Sequence, residues 1–374
     1  RRQRQMCIRD RDIKEYINHT AEKFNIKKNI LFDTRVTSLS WKNKQWTTKT
    51  DHTNFTSQYV ICCTGSRDNK NPNFPRFKNE NKYQGKIVHT QDWGDTDYKD
   101  KNVTIIGSGC TAITMTPSIV KEAKTVTLIQ RTPGYIINID SQEKSTRSYK
   151  TFETLKDYFH SRLFKKSFKK KILSSDPYYD DITTPKYDFW DQRPASSVDN
   201  DYFISVKSNK VSLETEEISN WETIGVKLKN GKVIDSDITV MATGGTTQIL
   251  GGIDIFVDDE KININDTSWY RGMMFSGMPN LFAHTGYINF SWTARCEIVS
   301  QRICKTVKYI KKNKLTSCTP KYLGEKTTPS IQANYILRAM DKFPNRTYKF
   351  YQNYLIECLS FKWTKINDGA VDFK

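Results

Sequence analysis

Between Val103 and Ala112 the chain reads Val-Thr-Ile-Ile-Gly-Ser-Gly-Cys-Thr-Ala, an apolar run that passes directly into G-x-G-x-x-A. Few folds accept this order. The apolar run suits a buried strand, and Thr111 to Ala123 carries a helical period, so the glycines must form a tight strand-to-helix turn. Gly107 permits that turn, and Gly109 lets backbone approach a pyrophosphate. Ala112 lets the helix pack closely on the strand, with its N-terminus facing the phosphates. Ser108 and Thr111 belong to the same cofactor loop. A strand–helix turn without a ligand would use the same glycines, but the flanking context favours a dinucleotide site. Pro117 falls inside the helix and removes one of its hydrogen bonds.

The strand expected next, Thr125 to Ile129, ends in Gln130-Arg131-Thr132-Pro133. A site for NAD places Asp or Glu here to accept from the ribose hydroxyls. Gln130 and Arg131 stand there instead, and Arg131 can donate a bidentate pair to a 2′-phosphate. NADPH is therefore the expected nucleotide. The plain alternative is a surface Arg near the turn.

Elsewhere the periods alternate. Ile13, Tyr16, Ile17, Ala21 and Phe24 recur at helical spacing, and Arg35–Trp41 with Gln45–Thr50 suits a small antiparallel hairpin. Tyr59 to Cys63 is a short buried strand closed by Thr64-Gly65. Residues 66 to 100 are polar, apart from Ile87-Val88, and suggest a linker between domains. Residues 141 to 192 suggest a helical insertion rich in Lys, Tyr and Phe. Val211–Leu213, Gly225–Leu228 and Ile238–Met241 suit strands, the last closed by Thr243-Gly244-Gly245, and a helix is expected from about Thr293 to Lys311.

Within the expected linker lies Tyr83-x-Gly85-x-x-x-His89-x-x-x-Trp93. It resembles the fingerprint of the Baeyer–Villiger monooxygenases, Phe-x-Gly-x-x-x-His-x-x-x-Trp followed by Pro or Asp. Tyr83 departs mildly and Gly94 departs at the last position. Three further stretches agree in collinear order. Thr64-Gly65 and Thr243-Gly244 look like the strand-end motifs where such chains pass between FAD and NADP domains. Trp190-Asp191-Gln192-Arg193 looks like the segment with the family's active-site arginine. Gly286 to Thr293, including Asn289, resembles the segment along the flavin. The resemblance runs from about Asp12 to the C-terminus and is closest to the subgroup that also oxidises thioethers and thioamides.

The resemblance implies an α/β, two-dinucleotide-binding-domain (Rossmann-like) flavoprotein that uses FAD and NADPH. Its expected divisions are a remainder of the FAD-binding domain (12–66), a linker with the fingerprint (67–100), an NADPH-binding domain with the insertion (101–245), and a C-terminal part of the FAD-binding domain (246–374). His89, Trp93 and Arg193 are the implied catalytic residues, with Arg193 supporting the anionic oxidant. His89 and Trp93 also suit plain core positions, and the family histidine has a rival role in organising the linker. The implied substrates are a ketone, sulfide or amine together with O₂. No first G-x-G-x-x-G precedes Gly107, so the FAD domain is expected to be incomplete and this chain colourless and inactive alone.

Composition closes off other classes. The eight cysteines include no C-x-x-C, and the five histidines are scattered, which argues against zinc, against any metal site and against a disulfide reductase. Most of the cysteines are expected to be small, reduced core residues. The net charge is +18, but no nucleic-acid motif accompanies it, so the lysines suit a solvated coat and no nucleic-acid partner is expected. Five of the seventeen arginines fall in residues 1–11, which suggests an appended segment. No transmembrane stretch or signal-peptide core is present, and a cytoplasmic location is expected. An N- or S-oxidising flavin monooxygenase without Baeyer–Villiger activity, or a non-enzymatic NADPH-binding protein, would share the nucleotide motif. The sequence is silent on oligomeric state.

Overall fold

The structure, a computed structural model, describes residues 10–68, 70–92, 94–139, 185–187, 191–192, 194–287, 292–323, 334–344, 346–348 and 353–374. Nearly all of the expected insertion, as well as Trp93, Arg193 and Asn289, lies outside these residues. The chain divides into two compact units, one built chiefly from Asn69–Thr246 and the other from Glu15–Asp68 with Thr247–Lys374.

A five-stranded, all-parallel sheet organises the first unit, in the order Val211–Thr215, Thr125–Gln130, Asn102–Ile106, Ile238–Met241, Lys86–His89. Its inner strands are near-continuous apolar runs because both faces are covered. Alternate residues serve the two faces. Val88, Val103, Ile105, Leu128 and Val240 join one core with the helix Cys110–Glu122, which buries Ala112, Ile113, Met115 and Ile119. Ile106, Ile129 and Met241 point the other way, into a core with Trp221, Val226, Leu228 and Ile234. Those last residues come from an antiparallel meander of Ile218–Glu222, Gly225–Leu228 and Val233–Asp235. Lys86–His89, inside the polar stretch that reads as linker, is thus a strand of the sheet. Ile87 and Val88 suffice because Ile238–Met241 supplies the ladder.

In the second unit the expected hairpin forms. Val36–Lys42 pairs antiparallel with Gln45–Thr50 across Asn43-Lys44, both at positive φ (53° and 64°), the geometry that matches strand twist in a two-residue turn. Trp41 and Trp46 face each other beside it with ring centroids 5.5 Å apart, and the Trp46 indole N–H donates to the Pro279 carbonyl at 2.8 Å. On its other side Val36–Lys42 runs parallel to Asp254–Val257. A second parallel pair joins Val60–Cys62 to Leu281–Ala283. The helix Trp292–Lys312 buries Ile298, Val299, Ile303 and Ile310. The N-terminal helix spans Asp10–Lys23, yet Tyr16, Ile17 and Phe24 of its apolar stripe are exposed.

Candidate active site

In a parallel sheet, ligands gather at the carboxyl ends of the strands, where the chain connections diverge. From Asn102–Ile106 the sheet grows one way to Thr125–Gln130 and the other way to Ile238–Met241, which places the divergence at Gly107. Gly107 sits at φ +137°, and a Cβ there would come within 2.3 Å of the Ala242 carbonyl oxygen, so only glycine fits between the two strand ends. Gly109 differs. It is exposed, caps the helix without a side-chain hydrogen bond, and a Cβ there would meet nothing within 4 Å. The space before it suits the pyrophosphate of a dinucleotide, against the unpaired amides of the first turn. Ala112, fully buried, lets the helix lie on the strand. Thr111 is exposed, and Ser108 Oγ donates to the Thr132 carbonyl at 3.0 Å, tying the loops after Asn102–Ile106 and Thr125–Gln130 together.

Gln130 is buried, and its Nε2 donates to Thr215 Oγ1 at 3.0 Å, which fixes the end of the neighbouring strand. Arg131, the next residue, is exposed at the same edge. Across the sheet, Thr243 and Asn73 exchange two hydrogen bonds: Thr243 Oγ1 donates to the Asn73 carbonyl (2.7 Å), and Asn73 Nδ2 donates to the Thr243 carbonyl (2.8 Å). Gly244 follows at φ +83°.

His89 ends the edge strand, paired in register with Met241. Its Nδ1 accepts from the Gln91 amide at 3.1 Å, which leaves the proton on Nε2. Nε2 is buried without a hydrogen-bond partner among the described residues, and Phe74 lies against the ring at 5.9 Å. Burial pushes this imidazole below its ordinary range, opposed by the Asn73 and Gly244 carbonyls. It is neutral at pH 7. The start of the fingerprint also has a local cause. The Tyr83 ring folds back over Gly85, where a Cβ would lie 2.2 Å from the Tyr83 oxygen, and stacks on Trp221 at 4.8 Å. The Tyr83 hydroxyl donates to the Ser236 carbonyl (2.9 Å) and accepts from Thr239 Oγ1 (3.1 Å). Gly94, at φ +52°, adopts a conformation closed to proline but open to aspartate or glycine.

The second unit carries its own cleft at the carboxyl ends of Val60–Cys62 and Leu281–Ala283. Cys62, Thr64, Gly65, Trp269, His284 and Trp292 are among its walls. Thr64 and Gly65 are exposed there, Gly65 at φ +72°. His284 Nδ1 is buried with no partner among the described residues, and burial, then the Arg295 charge, lower its basicity.

Sequence reasoning missed the polar core behind that cleft. Arg295 and Glu357 are fully buried. Arg295 Nε and Nη2 each donate to a Glu357 oxygen at 3.1 Å, and the remaining donors reach the carbonyls of Arg271 (2.8 Å), Thr285 (2.8 Å) and Gly272 (3.2 Å). The Tyr287 hydroxyl donates to Glu357. The signal was present: Arg295 and Arg302 lie seven apart in the helix stripe that holds Ile298, Val299, Ile303 and Ile310.

The structure therefore brings His89, Gly107–Ala112, Gln130, Arg131, Thr243 and Gly244 to one edge of one sheet, and sets Thr64 and Gly65 in the second unit. Among the described residues, no group of three or more His, Cys, Asp or Glu could hold a metal. The described cysteines are free, as expected, but most are not core residues. Cys62 and Cys318 are buried, their thiols pushed up to about 12 by burial, whereas Cys63, Cys110 and Cys304 are exposed. No helix among the described residues is long and apolar enough to cross a membrane.

Comparison with known proteins gives the lineage. The model of the pyridine nucleotide-disulphide oxidoreductase family matches residues 2–187. The chain is 31% identical to the probable FAD-binding monooxygenase AlmA of Acinetobacter sp., over 97% of this chain and 81% of that protein. It is 29% identical to the FAD-containing monooxygenase EthA of Mycobacterium tuberculosis H37Rv, over 99% of this chain and 84% of that protein. In fold it is similar to ε-caprolactone-bound cyclohexanone monooxygenase, with a TM-score of 0.70 at 20% identity, covering 97% of this chain and 84% of the other. That likeness establishes the two-dinucleotide-binding flavoprotein architecture. The identity to AlmA across nearly the whole chain settles the family: this chain belongs to the FAD-binding monooxygenases.

Proposed function

We propose that the chain is an FAD- and NADPH-dependent monooxygenase that inserts one oxygen atom of O₂ beside the carbonyl of a small ketone, in the Baeyer–Villiger manner. The observation that carries the reading is the strand-end site at Gly107–Ala112, open at Gly109 and followed by Arg131. NADPH supplies two electrons; one oxygen atom enters the substrate and the other leaves as water. FAD, when bound, passes those electrons to O₂. This chain's residues supply the rest. The amides after Gly109 hold the pyrophosphate, and Arg131 holds the 2′-phosphate. Neutral His89 anchors the end of the edge strand beside Thr243 and Gly244. Arg193 supplies the positive charge that stabilises negative charge developing on oxygen. The Pro194 carbonyl, one residue on, accepts from Cys110 Sγ at 3.9 Å, in the first turn of the nucleotide helix.

Oxygenation of sulfur or nitrogen alone is the second reading, favoured by Gly94 at the position where the fingerprint has Pro or Asp. Product analysis with NADPH and O₂ in a full-length version that holds FAD separates the two: ester or lactone from a cyclic ketone supports the first, sulfoxide from a thioether with no ester supports the second. In a full-length version that holds FAD, Arg193→Ala is expected to leave NADPH oxidation by the flavin intact in stopped-flow spectra and to abolish product. Normal product yield in that variant refutes the role of Arg193.

A further inference from the structure

Beyond Arg131, the same strand ends hold a carboxylate between two cations. Thr215 pairs with Gln130, and the Glu216 amide donates to the Gln130 carbonyl at 3.0 Å, so Arg131 and Glu217 leave the sheet on one edge. Glu217 ion-pairs with Lys229, whose amide also donates to the Glu217 carbonyl at 2.8 Å. This contact ties the meander to the end of the sheet and holds the Lys229 ammonium beside the residues that follow Gln130. The Lys229 hydrogen bond and charge, and then the Arg131 charge, keep the Glu217 carboxyl below its ordinary range.

The pair is solvent-exposed, with side chains 62% (Lys229) and 46% (Glu217) accessible. An exposed ion pair adds little to stability, so the fold does not require it. A nucleotide 2′-phosphate does require something of the kind. A phosphate monoester carries ≈ −1.5 to −2 charge at neutral pH and is held best by more than one cation. A carboxylate beside it repels it.

We infer that Lys229 is a second cation of the 2′-phosphate subsite, and that Glu217 holds it in the free protein and penalises the phosphate, so that the two residues set the preference for NADPH over NADH. The inference rests on the nucleotide-site reading above. Lys229 meets a free phosphate only by leaving Glu217, and the freed carboxylate then stands within electrostatic reach of the phosphate that Arg131 holds. Glu217 therefore acts as a selectivity brake, and removing its charge tightens only the phosphorylated nucleotide.

Calorimetric titration of the whole chain with NADPH and with NADH, at one fixed ionic strength, tests this without turnover. Lys229→Met is expected to weaken NADPH by about two- to fivefold, the range of one exposed ion pair, and to leave NADH unchanged. Glu217→Gln is expected to tighten NADPH by a similar factor, again with NADH unchanged. Arg131→Ala is the reference, with a larger loss for NADPH alone. An NADPH-to-NADH ratio unmoved by either variant, equal shifts for both nucleotides, or weaker NADPH binding in Glu217→Gln overturns the assignment. A wild-type chain that binds neither nucleotide overturns the nucleotide site itself, and this inference with it.

Discussion

Replacing Glu357 with leucine tests how far the second unit depends on its buried charges. Arg295 and Glu357 are both inaccessible to solvent, and the pair is bidentate. Removing one member of a buried ion pair costs about 3–5 kcal/mol, because the other charge is left uncompensated. Here Arg295 keeps the carbonyls of Arg271, Gly272 and Thr285, which places that part of the loss near the lower bound. Tyr287 loses its acceptor as well, which adds about 1 kcal/mol or more. The expected total is about 4 kcal/mol, or a fall in Tm of roughly 8–16 °C for a unit of this size. Thermal unfolding followed by circular dichroism and tryptophan fluorescence measures it. Adding Arg295→Met removes the orphan charge but leaves three carbonyls without donors, so the double variant should recover only part of the loss. A shift below about 1 kcal/mol for Glu357→Leu, or strict additivity in the cycle, would show that the pair is not coupled as the geometry requires.

The two glycines of the nucleotide loop should separate. Gly107→Ala meets the Ala242 carbonyl at positive φ and should destabilise the first unit by about 1–3 kcal/mol, whereas Gly109→Ala should leave Tm unchanged yet weaken NADPH at least about tenfold; equal effects on Tm would contradict the assigned roles. Tyr83→Phe removes a hydroxyl bonded to Ser236 and Thr239 and should cost about 1 kcal/mol in chemical denaturation; a neutral result would make the hydroxyl incidental. Burial lowers the pKa of both His89 and His284, so the unfolded chain takes up protons first, below about pH 6.5. Stability is then present above that pH and lost as it falls toward the folded-state values. Tm measured from pH 7.5 to 5.5 should drop, and less steeply with both histidines changed to glutamine; a flat or rising profile counts against the buried, neutral assignment.

The parallel core was legible because a strand buried on both faces must be apolar along its length. Gly225–Leu228 and Ile238–Met241 have the expected bounds, and Thr125–Gln130 gained one residue. Lys86–His89 escaped notice because two apolar residues carry no period of their own; its partner strand stands about 150 residues away. Arg295, Arg302 and Glu357 escaped because charge is ordinarily a mark of the surface, and a buried charge becomes credible only when its counter-charge is placed beside it. The N-terminal helix shows the converse. Its stripe of Tyr16, Ile17 and Phe24 has the right period, but period alone does not say what covers it.

The parallel pairing of Val36–Lys42 with Asp254–Val257, and of Val60–Cys62 with Leu281–Ala283, fixes the order in which this chain can be assembled on a ribosome. The hairpin emerges early, but neither of these two parallel partners exists until residues 69–246 have been made. At roughly 5–20 residues per second that interval is on the order of ten to thirty seconds. During it Trp41, Trp46 and Leu39, all buried in the finished protein, lack most of their cover, while the first unit has every strand of its own sheet by Met241. The nucleotide unit can therefore close its sheet while the hairpin of the second unit still waits for its parallel partners.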